Sequence, residues 1–270
     1  MAQEHKDHKD FATSNFTKSG ASGLYDRARP TYPAQAHAQI LDLLPPSARG
    51  AHVVELGSGT GLFTRGFLQA ALECEKEDRG AEGGKRVARL TAVEPSEGMR
   101  EGFSKGLEKE GLVGSSIEVS CVDGAFDKVP VGDGEADLAW HWTGTSQTSA
   151  DRNVGWVAGL RDAYEQFESD TPQYRHGLWK KMYEEQEYHD LFTEPSHAQF
   201  HRALPTTEAL AVDRVFSKSY ITALSDSERS SLEQRLRETI RRGEGREWID
   251  EEQAIFAYPY GTDLFVAKRK

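Results

Sequence analysis

A doubly wound α/β fold is predicted by two features of the sequence. Strand-like segments, apolar at Ala51–Leu56 and Leu90–Val93, alternating apolar and polar at Ile117–Val122, with a fourth at Ala136–Trp140, are interleaved with segments of helical spacing. That is the pattern of a parallel sheet covered by helices on both faces. The first three runs also close on an acid (Glu55, Glu94 and Asp123), where the chain turns out of the sheet. At 270 residues the chain is long enough for one substantial core. A single domain over 23–270 is expected, with a helical insertion at about 205–245. Residues 1–22 are too polar to bury much surface and read as a flexible arm.

Composition narrows the partners. Thirty-three basic against 44 acidic side chains give a formal charge of −11. Such a charge repels phosphate backbones and anionic lipid, so neither nucleic acid nor a membrane is an expected partner. No apolar run approaches the roughly 20 residues that span a bilayer. Cys74 and Cys121 lack metal-ligand spacing, and so few cysteines suit a reducing compartment. The start, MAQEHKDHKD, is charged where a secretion signal is apolar. These points lead to a cytoplasmic expectation and leave the oligomeric state open.

In chain order, Leu24–Pro33 (LYDRARPTYP) packs two tyrosines, two arginines and two prolines into ten residues. It is expected to be a stiff extended segment, either at a ligand's rim or leading into a helix. Ala34–Leu44 reads as a helix stopped by Pro45 and Pro46. Ala51–Leu56 is the first strand, broken by Gly57-Ser58-Gly59-Thr60-Gly61 before helical spacing resumes at Leu62. Three alternate glycines permit positive φ and let a ligand approach backbone that a Cβ would shield. A turn with no ligand is the alternative. Glu73–Arg86 is charged, contains glycine, and reads as a solvated loop. The second strand, Leu90–Val93, ends at Glu94-Pro95. Ser96 then stands at a helix start, with Glu97 and Met99 in the first turn. A third strand, Ile117–Val122, ends in Asp123-Gly124-Ala125, and the fourth, Ala136–Trp140, runs into His141-Trp142.

The glycine spacing separates the ligand classes. A dinucleotide fingerprint needs glycine where Leu62 stands, and no Lys-Ser or Lys-Thr follows as in a phosphate loop. What remains, E-x-G-x-G-x-G, resembles the cofactor loop of class I S-adenosylmethionine-dependent methyltransferases, in particular the branch acting on small molecules. The resemblance implies a Rossmann-like sheet, S-adenosyl-L-methionine as cofactor, and a small-molecule methyl acceptor. It implies that Gly57, Ser58, Gly59 and Gly61 line the methionine part of the cofactor, with Glu55 near its amino group. Glu94, with Pro95 and Met99 beside it, becomes the ribose ligand, and Asp123, with Gly124 and Ala125, meets the adenine. Tyr25 and Arg29 fall near the cofactor or the substrate mouth. His141 is the candidate to bind or deprotonate substrate, a lone structural histidine being the alternative. Trp142, Arg214 and Tyr220 are substrate candidates. No metal is required.

Two spacings test the resemblance. Glu94 lies 33 residues beyond Gly61, against roughly 20 in the dinucleotide version; the Glu73–Arg86 loop accounts for the excess. After the fourth strand the chain departs from the family. Only 16 residues separate Asp137 from Asn153, and T-G-T-S-Q-T-S-A-D offers no strand-forming run. One central strand and its helix are expected to be lacking, which makes a non-catalytic cofactor-binding or regulatory descendant the rival reading.

The C-terminal part is expected to hold helices at Val154–Tyr164 and His176–Phe192 and a strand at His197–Leu204. Asp213–Leu224 reads as a helix whose polar residues could face a pocket, and the resemblance implies that it covers the substrate; a partly exposed helix is the alternative. Ser225 with Glu228 reads as a capping box opening a further helix. Strand material at Ala254–Lys268, with a turn at Gly261-Thr262, is expected to close the sheet.

Overall fold

The computed structural model describes residues 21–44, 47, 49–78, 85–125, 128–141, 155–168, 173–268 and 270. They fall into two compact units, Met1–Trp142 and Thr143–Lys270.

The first unit opens with helices α1 (Ala21–Ala28) and α2 (Ala34–Leu41). Strand β1 (Ala51–Leu56) follows, then α3 (Leu62–Asp78), β2 (Val87–Val93), α4 (Glu97–Lys109), β3 (Glu118–Val122) and β4 (Leu138–His141). The four strands form one parallel sheet in the order β3-β2-β1-β4. A parallel sheet buried on both faces needs near-continuous apolar strands, and Val53, Val54, Leu90, Ala92 and Val93 are all buried. On one face Trp140 packs against Phe67 at 4.8 Å and Phe63 at 5.7 Å between centroids, and Phe63 meets the His37 ring at 4.6 Å. Gly66 makes room for that histidine, because a Cβ there would come within 2.4 Å of its ring.

The second unit contains α5 (Gly155–Glu165), two 3-10 turns (Tyr174–His176 and Leu178–Glu184), α6 (Gln186–Leu191) and strand β5 (Ser196–Thr206). Helices α7 (Glu208–Phe216) and α8 (Asp226–Arg242) follow, then β6 (Trp248–Asp250) and β7 (Ile255–Val266). Its sheet is antiparallel, in the order β5-β7-β6. Trp156 anchors α5 on this sheet through Phe256 at 5.2 Å and Tyr258 at 4.9 Å. No described helix is long and apolar enough to cross a membrane.

Several local expectations are corrected. Leu24–Ala28 is helical rather than extended, and the helix starts at Ala21, inside the expected arm. Both prolines of that segment lie beyond its end, where Pro30 restricts Arg29 to non-helical backbone. The expected loop at Glu73–Arg86 is helix as far as Asp78, since its Glu and Lys residues are good helix formers on a wet face. The helix expected over His176–Phe192 is broken twice, by Gly177 at φ +68° and by extended Glu185. Asp213–Leu224 is helical only to Phe216. Gly261 and Thr262 form no turn; they pair with His201 and Phe200 inside a continuous β7, which the eleven-residue β5 supports along its length. Among the described residues that strand joins β5 and β6 and does not close the parallel sheet. The short stretch after β4, with Trp142, lies outside the described residues.

Candidate functional site

The parallel register brings the strand ends level. Leu56 pairs with Val93 and with His141, and Val93 pairs with Val122, so the four strands finish in one row. Gly57, Glu94 and Asp123 each leave the sheet from that row. In an open α/β sheet the crevice beyond the carboxyl ends of the strands, where strand order reverses, is the general ligand position. Here the reversal falls between β1 and β4.

The turn after β1 is joined to the neighbouring strand end. Gly57 N–H donates to the Val93 carbonyl at 2.8 Å, and Glu94 N–H donates to Val122 at 3.0 Å. The Glu94 carboxylate accepts from Gly59 N–H at 2.9 Å through Oε2 and from Ser96 N–H at 2.9 Å through Oε1. Each oxygen therefore keeps acceptor capacity for a further donor. Glu94 is buried, and desolvation raises its pKa, offset by the two N–H groups and by Arg100. Arg100 donates to the Glu94 carbonyl at 2.7 Å and to Asp123 at 3.1 Å. The Asp123 side chain is mostly exposed.

The glycines differ in what surrounds them. Gly59 has φ +59°, and a Cβ built on it meets nothing within 4 Å. Gly61, at φ +76°, lies against the Phe103 ring, 2.7 Å from where its Cβ would be. Gly59 thus presents bare backbone to open space, while Gly61 packs α4 against the turn. Gly124 is also a packing glycine, enclosed by Val93, Pro130 and Lys128. Ser58 is buried, with Oγ 3.8 Å from Cys121 Sγ. Burial pushes the Cys121 thiol up to about 11, which keeps it protonated.

Glu55 points inward. It is 1% exposed and accepts a hydrogen bond from the Thr64 hydroxyl. Burial pushes its carboxyl up to about 8, opposed by Thr64 and by the nearby Trp140 indole, whose N–H lies outside good hydrogen-bond geometry. Arg29, just past the end of α1, lies over the Tyr25 ring, guanidinium to ring centroid 4.6 Å. Met99 is buried in α4. His141 ends β4 opposite Leu56, and only its backbone is described. In the second unit Arg214 and Tyr220 are buried, and the Tyr220 hydroxyl donates to Glu168 at 3.0 Å.

Residues that sequence reasoning passed over hold this site together. Thr64, Arg100 and Asp26 each bond to a turn or strand-end residue, or to Arg65 behind the turn, and Arg65 itself is buried. The only available signal was position: Thr64 and Arg65 open α3, and Asp26 sits within the Tyr- and Arg-rich segment.

No protein-family model matches the chain. Uncharacterized methyltransferases of Mycobacterium bovis and of Mycobacterium tuberculosis are each 28% identical to it over 160 residues, 52% of this chain and 55% of theirs. The chain thus spans about half the length of the curated relatives it matches. The solved structure of loganic acid methyltransferase with SAH superposes with a TM-score of 0.55 at 9% identity, covering 100% of this chain and 98% of that one. The chain has the Rossmann-like fold of the class I methyltransferases and, over 160 residues, sequence kinship with proteins that bear the methyltransferase name.

Proposed function

We propose that the chain transfers the methyl group of S-adenosyl-L-methionine to a small-molecule acceptor, the two units being parts of a single methyltransferase domain. One observation carries the reading: bare backbone at Gly59, the Glu94 carboxylate bonded to that same residue, and Asp123 all stand at the end of one sheet row. These residues suit the cofactor. Glu94 retains acceptor capacity for two ribose hydroxyls, Asp123 can accept from an exocyclic amine, and the turn admits a chain that a Cβ would exclude. Glu55, whose carboxyl burial pushes up to about 8, joins the end of β1 to α3 through Thr64.

When bound, the cofactor supplies a sulfonium-activated methyl group. The protein's task is then to align an acceptor with that group and to exclude water. His141, at the end of β4, is the residue we assign to bind the acceptor or take its proton, with Trp142 beside it in the chain. The proposal extends to Arg214 and Tyr220 as acceptor-facing residues, although the Tyr220 hydroxyl is engaged by Glu168.

Titration calorimetry with S-adenosylmethionine and S-adenosylhomocysteine tests the cofactor. A screen for S-adenosylhomocysteine release against pooled metabolites tests transfer. Binding without release on any acceptor favours the second reading, a non-catalytic cofactor-binding or regulatory protein. That reading is supported by the parallel sheet, which among the described residues stops at β4.

A further inference from the structure

The glycine turn is tied down at its centre. Thr60, between Gly59 and Gly61, is 1% exposed. Its hydroxyl donates to Asp26 Oδ1 at 3.0 Å, and its carbonyl accepts from Arg65 Nη1 at 2.6 Å. Arg65 Nη2 reaches the same Asp26 oxygen at 2.8 Å, and its Nε pairs with Glu110 at 2.6 Å. Gly106 in α4 leaves space for this guanidinium, since a Cβ there would lie 2.3 Å from Nη1. One buried arginine therefore joins α1, the turn, α3 and α4.

The physical need for this is entropic. Gly57, Gly59 and Gly61 all hold positive φ, and glycine loses more backbone freedom on ordering than any other residue. A ligand that recognises one turn shape binds in proportion to the fraction of molecules already in that shape. Arg65 and Glu110 fix the turn from α3 and α4. Asp26 is the side chain through which α1, the helix carrying Tyr25, enters this network.

We infer that Asp26 is a positioning residue for the cofactor. Acting through Thr60 and Arg65, it holds the turn in its ligand-receiving shape and keeps α1 against it. The inference rests on the cofactor reading given above. The Asp26 side chain is 32% exposed, so water can take its place, and Arg65 retains Thr60 and Glu110. Its removal is therefore expected to leave a folded protein.

The test measures S-adenosylhomocysteine affinity by calorimetry for the full chain and for Asp26→Ala, Asp26→Asn, Thr60→Val and the Asp26→Ala/Thr60→Val double variant, with Glu94→Ala as control. Hydrogen exchange is followed on the same proteins without ligand. Asp26→Ala is expected to weaken binding roughly ten-fold. Asp26→Asn, which keeps the accepting oxygen, recovers most of that loss. The double variant binds about as Asp26→Ala does, because both changes break one link. Without ligand, Asp26→Ala speeds exchange in peptides spanning Ser58–Thr64 and leaves β5 and β7 unchanged. Wild-type affinity in Asp26→Ala, alongside weakened Glu94→Ala, overturns the inference alone. So does an Asp26→Asn variant no better than Asp26→Ala with exchange raised throughout the first unit, the signature of a simple brace. If wild type does not bind, or Glu94→Ala binds as wild type does, the cofactor reading fails and this inference falls with it.

Discussion

Glu94 in the first unit and Glu168 in the second are equally buried, at 8% and 4% exposed, and are used in opposite ways. Glu94 takes its hydrogen bonds from two backbone N–H groups, one of them at Gly59, whose Cα faces open space. Glu168 is surrounded by long side chains: the Tyr220 hydroxyl, the Arg175 guanidinium, and His176 at 3.9 Å. Burial and the adjacent Glu168 carboxylate push the Tyr220 hydroxyl above its ordinary range, so it stays protonated and donates. Glu94 thus has backbone partners beside unfilled space, the arrangement proposed above to receive a ligand. Glu168, whose shell is completed by side chains, braces the fold.

Single substitutions can break this contrast. Glu168→Ala removes the acceptor of the buried Tyr220 hydroxyl and one of the two carboxylates beside Arg175, Glu165 remaining at 3.7 Å, and is expected to cost about 2 kcal/mol of stability. Chemical denaturation measures that cost, while S-adenosylhomocysteine affinity should not change. Gly59→Val combines a positive φ with a branched side chain in the open space; binding should fall by at least about 100-fold in a protein that keeps its circular-dichroism spectrum. Unimpaired binding would remove the turn from the site. Glu94→Ala should weaken binding about ten-fold to a hundred-fold, equivalent to roughly 1.5–3 kcal/mol, with Glu97→Ala close to wild type. Equal dissociation constants for these two variants would end the ribose assignment.

Glu55 sharpens the contrast through pH. Folded, its carboxyl holds a proton up to about pH 8, whereas its ordinary value is 4.5. Between those values the folded state binds more protons than the unfolded chain, so this group's contribution is full below 4.5 and is lost as pH rises through 8. Glu55→Gln removes that slope. Its stability relative to wild type should rise from pH 5 to pH 8 by roughly 3–4 kcal/mol, read from denaturation curves; a constant difference would contradict the buried, protonated state. The smallest effect is Ser225→Ala, expected to cost about 1 kcal/mol without altering ligand affinity.

Much of this architecture was legible locally. Strands at Ala51–Leu56 and Leu90–Val93 appear almost where the apolar runs stand, because a strand buried on both faces must be apolar throughout, and the edge strand Glu118–Val122 appears where apolar and polar residues alternate. The Ser225–Glu228 capping box forms as read, with Glu228 N–H on Ser225 Oγ and Ser225 N–H on the Glu228 carboxylate at 2.9 Å. Such motifs are complete within four residues. Segments that depend on distant partners were misread. Gly261 and Thr262 carry turn-forming residue types, but β5 supplies a ladder for them, and Leu24–Ala28 is helical although Pro30 and Pro33 follow it.

The sequence by itself determined the parallel α/β pattern, the glycine turn and the order of the acids after the strands, since each follows from spacing along the chain. Only the tertiary structure decided what each residue faces. It directed Glu55 inward to Thr64 and left Glu94 with backbone donors. It assigned open space to Gly59 and the Phe103 ring to Gly61. It also brought Asp26, Thr60, Arg65 and Glu110 around one buried charge. Those outcomes depend on which elements pack together, and desolvation makes every buried polar group depend on neighbours that can be tens of residues away in the chain.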